Sequence, residues 1–71
     1  MYMSGLDEKY MERALQLARQ AESAGEVPVG AVIVRGNEII GEGYNRPLAP
    51  RDPTAPAEII ALRAAAALSP S

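Results

Sequence analysis

The sequence predicts an α/β fold in the order helix, strand, strand, helix. Three observations carry this expectation. Apolar residues recur at three- and four-residue spacing over residues 7–24, a β-branched run fills 29–34 and is followed by a second strand-like segment, and an Ala-rich stretch closes the chain.

In the first element Tyr10, Met11, Ala14, Leu15, Leu17, Ala18 and Ala21 fall on one face of a helix over residues 7–24. Ser4 and Asp7, three residues apart, supply a start signal, and Gly25 supplies the stop, with Pro28 soon after. The period then changes. Val29-Gly30-Ala31-Val32-Ile33-Val34 is short, nearly all apolar and β-branched, the pattern of a strand covered on both faces. Gly36-Asn37 separates it from Glu38–Tyr44, so a tight turn is expected to join two antiparallel strands.

Residues 45–55 contain Pro47, Pro50 and Pro53 among polar residues, a composition that resists helix and sheet, and are expected to form a long loop. Long loops inside small folds often carry ligand contacts. Thr54 is placed to cap a second helix, with Pro56 in its first turn and Ala57–Leu68 as its body. Ile59, Ile60, Leu62, Ala64, Ala66 and Ala67 surround that helix, which suits close packing on a sheet.

Composition limits what such a chain can do. Its 71 residues allow one small folding unit, and with three Tyr but no Phe or Trp the core must be built from Leu, Ile, Val and Ala. The absence of Cys and His removes the disulfides and metal sites that stabilise many small domains. Seven basic against nine acidic residues give a formal charge of -2 with no basic run, so RNA contact would depend on local geometry rather than bulk charge. The opening residues do not pair a basic stretch with an apolar one and no apolar run approaches about 18 residues, so neither secretion nor membrane insertion is expected and a cytoplasmic location is the expectation.

Three blocks in order, Glu26-Val27-Pro28-Val29-Gly30-Ala31-Val32, Gly41-Glu42-Gly43-Tyr44-Asn45-Arg46-Pro47 and Asp52-Pro53-Thr54-Ala55-Pro56-Ala57-Glu58-Ile59, resemble the opening segments of tRNA-specific adenosine deaminases. The resemblance covers nearly the whole chain. It implies a cytidine deaminase-like α-β-α sandwich of which the first helix-strand-strand-helix portion is present, so that residues 1–71 read as a truncated N-terminal part of one deaminase domain. The activity implied is hydrolytic conversion of adenosine to inosine at the tRNA wobble position, with zinc activating the attacking water and a glutamate moving protons. The implied signature is His-x-Glu, then Pro-Cys-x-x-Cys.

Against that signature Glu58 stands where the family has its proton-shuttling glutamate, and Asn45 where it has a base-contacting asparagine. Pro56 stands where the family places its His ligand, and no Cys occurs. The expectation is therefore no metal ligand, no zinc in this chain and no catalysis. Each residue also has an ordinary explanation. An acid in a first helical turn suits the helix dipole, an Asn at a strand end bonds nearby backbone, a Pro is normal at a helix start, and Gly30 and Ala31 suit close packing. Arg46, Arg51 and Arg63 are given no role. The partner implied is tRNA, with a homodimer or a full-length deaminase as further possibilities. The competing reading is a non-catalytic binding or dimerising module acting on a partner deaminase.

Overall fold

The computed structural model describes residues 8–68. Its elements are α1 (Glu8–Ser23), β1 (Gly30–Arg35), β2 (Glu38–Tyr44), β3 (Arg46–Pro47), β4 (Thr54–Ala55) and α2 (Ala57–Leu68). The expected order of helix, strand, strand, helix is present. The start signal at Ser4 and Asp7 lies outside the described residues.

Gly25 ends α1 as its sequence position suggests. With φ at 80° it takes the left-handed conformation, and the Gly25 N–H donates to the Glu22 carbonyl at 3.0 Å while the Glu26 N–H donates to that of Ala21 at 2.9 Å. These two bonds satisfy carbonyls that the helix end would otherwise leave open, the paired pattern of a Schellman cap.

β1 and β2 pair antiparallel, from Gly30 opposite Tyr44 to Arg35 opposite Glu38. The two-residue turn has positive φ at Gly36, 64°, and not at Asn37, the II′ pattern that Gly in the first position permits. Between Ile33 and Val34 the register shifts, because Ile33 faces Gly41 and Val34 faces Ile39, leaving Ile40 as a bulge. The bulge turns Ile39 towards the same face as Val34 while Gly41 joins the opposite one.

Side chains alternate across β1, and the two helices take one face each. Val32, with Val34, Ile39 and Tyr44, packs on Tyr10 and Leu17 of α1. Ala31, with Val29 and Ile33, packs on Ala57 and Ala61 of α2. The arrangement is an α-β-α sandwich, and β1 is covered on both faces as its apolar run predicts.

Small residues set the spacing of the layers. A Cβ on Gly41 would lie 2.2 Å from the Ala61 carbonyl oxygen, and one on Gly43 2.4 Å from that of Ala57. α2 therefore rests with its backbone directly on β2, and the buried Ala57, Ala61 and Ala65 are the helix side of that contact. Gly30 does the same for α1, where a Cβ would meet the Ala14 carbonyl oxygen at 2.1 Å. The packing explanation of Gly30 is the one the structure supports.

Two expectations are corrected. Residues 45–55 are not wholly irregular, because Arg46 pairs with Ala55 and Pro47 with Thr54 in a two-residue ribbon. Such a short ladder needs few N–H donors, so Pro47 is no obstacle. Nor does Thr54 cap α2. It lies in β4, and its hydroxyl donates to the Glu26 carboxylate. Pro56 sits one position earlier than expected, just before α2, where its carbonyl accepts the Ile59 and Ile60 N–H groups at 3.1 and 3.2 Å. The cap comes from elsewhere in the chain.

Candidate active site at the start of α2

The end of β2 and the start of α2 meet through Asn45. Its backbone N–H donates to the Val29 carbonyl at 3.1 Å, carrying the β1–β2 ladder one step past Tyr44. Its side-chain Oδ1 accepts the Ala57 N–H at 2.8 Å, which satisfies one of the donors that a helix start leaves open. Glu58, the next residue, is partly buried on the first turn of α2. The two sequence-predicted site residues thus lie at one place, joined by the bond from Asn45 to Ala57, the neighbour of Glu58, twelve residues on in the chain.

Other segments converge here. Glu26, just past the α1 cap, holds Thr54 through its carboxylate and so ties the end of α1 to the strand that leads into α2. The Arg46 guanidinium lies 5.5 Å from the centre of the Tyr44 ring, within cation–π range. Pro56 is exposed between β4 and α2 and carries no donor atom on its side chain. Among the described residues no three acidic, His or Cys side chains gather closely enough to hold a metal ion.

The Glu26–Thr54 and Arg13–Glu42 pairs were not readable from sequence. Glu42 on β2 accepts both Arg13 Nε at 2.7 Å and Nη2 at 2.8 Å, a two-pronged bond that fastens α1 to the strand. Both pairs span nearly thirty residues, and no local spacing signals such contacts. Two shallow grooves lie away from the site. One runs along α1 by Glu12, Leu15, Gln16 and Arg19, and the other lies where Ile40 of β2 approaches Ala64 and Leu68 of α2.

Residues 4–71 match the family described as the cytidine and deoxycytidylate deaminase zinc-binding region. The chain belongs to this family. Its α-β-α layering, with the Asn45–Ala57 junction at the helix start, is a partial cytidine deaminase-like α/β fold.

Among curated relatives, the tRNA-specific adenosine deaminase of Haemophilus influenzae is 59% identical over 61 residues, covering 84% of this chain and 35% of that protein. That of Buchnera aphidicola subsp. Baizongia pistaciae is 52% identical over 61 residues, covering 86% and 38%. A tRNA(Ile)-lysidine synthase from Deinococcus deserti is 55% identical over 58 residues, covering 80% of this chain but 11% of that protein. So small a share lends that protein's name no weight here. The chain spans little more than a third of the length of the two deaminases. No helix among the described residues is long and apolar enough to cross a membrane.

Proposed function

We propose that this chain forms part of a single tRNA adenosine deaminase domain, of the kind that hydrolyses adenosine to inosine in tRNA, and that it has lost the capacity to bind zinc and to deaminate. The family reading rests on the match over residues 4–71 and on relatives named as tRNA-specific adenosine deaminases. The inactive reading rests on one observation, Pro56 in the first position of Pro56-Ala57-Glu58, where the family's His-x-Glu has its ligand.

A catalytic zinc site uses three protein ligands, drawn from imidazole, thiolate or carboxylate, and keeps a fourth position open. Proline offers none of these atoms. Glu58 is a single carboxylate, and no His or Cys occurs anywhere in the 71 residues. The donor set therefore does not fit zinc, and no reaction step through a metal is assigned to this chain. In this reading Glu58 keeps the position of the proton carrier without an activated water to serve, and Asn45 keeps the position facing the substrate. The partner class is tRNA, as in the relatives' names.

The direct test measures zinc content and inosine formation on a tRNA substrate, with an active relative as control. The expected result is neither zinc nor inosine. Bound zinc or measurable inosine would overturn the donor argument. Mixing the chain with a Cys-containing segment of a relative is expected to restore deamination only after Pro56→His, and restoration without that change would sink the reading of Pro56.

A further inference from the structure

We infer that Asn45 is a positioning residue that sets where α2 begins, and that it holds the turn carrying Glu58 whatever side chain stands at position 56. This rests on the reading of Glu58 as the site's proton-carrying position; the geometry that supports it does not involve zinc.

The first helical N–H groups need acceptors, and the usual source is a Ser, Thr, Asp or Asn side chain immediately before the helix. Here that source is missing. Pro56 has no side-chain acceptor, and Thr54, two residues earlier, directs its hydroxyl to Glu26. The Ile59 and Ile60 N–H groups bond the Pro56 carbonyl, a backbone atom that any residue at 56 would supply. The Ala57 N–H is met instead by Asn45 Oδ1 at 2.8 Å, from the far end of the sheet.

Asn45 is itself fixed. Its N–H bonds the Val29 carbonyl at 3.1 Å, so the carboxamide projects from the end of a hydrogen-bonded ladder. Sheet position is thereby passed directly to the helix start. Two consequences follow. Position 56 contributes only its carbonyl to the frame, so exchange of a His for a Pro there removes a metal donor without moving α2. And because Oδ1 accepts the Ala57 N–H, Asn45 keeps both Nδ2 hydrogens and one Oδ1 lone pair for a ligand.

Residue-resolved hydrogen exchange on the whole chain tests this, with Asn45→Asp, Asn45→Ala and Pro56→His beside the parent. Asp keeps the acceptor, Ala does not. Asn45→Ala is expected to lower protection at Ala57 about five-fold, the loss of one helix cap, with Ala14 and Leu17 of α1 unchanged. Asn45→Asp and Pro56→His are expected to keep Ala57 within about two-fold of the parent, given a capping preference in which Asp equals Asn. An unaltered Ala57 in Asn45→Ala, a loss in Asn45→Asp as large as in Asn45→Ala, or a loss in Pro56→His would overturn the inference. If Asn45→Ala fails to fold, folding of Asn45→Asp supports it and failure of both overturns it. These readouts involve neither zinc nor inosine, so their failure is distinct from failure of the functional reading.

Discussion

Tyr10 is 6% exposed at the centre of the α1 face, and among the described residues its hydroxyl meets no hydrogen-bond partner. A buried polar group left unpaired costs about 1–3 kcal/mol, while the ring itself fills space against Leu17 and Val32. Tyr10→Phe is therefore expected to leave the melting temperature unchanged or raise it, and Tyr10→Ala to lower stability by about 3–5 kcal/mol in the range of large aromatic truncations. A clear loss in Tyr10→Phe would mean that the hydroxyl is bonded in solution. At Glu42 the hydrogen bond from Arg13 holds the carboxyl below its ordinary value, against an opposing effect of burial. A carboxylate so depressed adds stability above the unfolded carboxylate range, near about 4.3, and loses it as pH falls through the lower folded value. The same bond raises Arg13, whose contribution is lost only in strong alkali. Stability of the parent should thus fall more steeply below about pH 4 than that of Glu42→Gln, by no more than about 1 kcal/mol for so exposed a pair. Parallel acid titrations of the two proteins would show it, and identical slopes would mean that the pair contributes nothing measurable.

At the scale of elements, the contact of β2 with α2 depends on two glycines. Gly41 and Gly43 leave no room for a methyl group because helix backbone, not a flexible side chain, occupies the space. Gly41→Ala or Gly43→Ala must push α2 off the sheet, at the upper end of overpacking costs, about 3 kcal/mol or more. Gly36→Ala is the control, since nothing lies within 4 Å of its would-be Cβ and only its positive φ is strained. Urea unfolding of the three variants should rank Gly36→Ala well above the other two. Much of this level was legible in the sequence. The period of α1, the apolar run of β1, the turn at Gly36 and the Ala-rich α2 fixed their own elements, because each depends on residues a few positions apart. The β3–β4 ribbon was not legible, because three prolines in residues 45–55 signal irregular backbone and the pairing is imposed by closure of the chain between β2 and α2.

For the whole molecule, the described residues leave several large apolar side chains in solvent. Met11 and Leu15 lie exposed on α1, and Ile59, Leu62 and Leu68 on α2, with Leu62 51% and Leu68 65% accessible. The expectation that α2 packs all round is met on one side only, where Ala57, Ile60, Ala61 and Ala65 are buried. A two-stranded sheet also presents strand edges, which invite pairing with other chains. The isolated chain is expected to be marginally stable and to self-associate, seen as a concentration-dependent elution volume and a broad thermal transition. A stable monomer with one sharp transition at all concentrations would instead favour an independent module.

What the sequence determined by itself is local or motif-borne: the four main elements, the fold class and the family, all set by residue type and short spacing. What only the tertiary structure decided is which groups meet. Asn45 rather than Thr54 caps α2, Glu26 takes the Thr54 hydroxyl, and Arg13 grips Glu42. Each of those bonds joins residues twelve or more positions apart, and their partners are chosen by how two helices settle on opposite faces of one hairpin, a choice that no local pattern encodes.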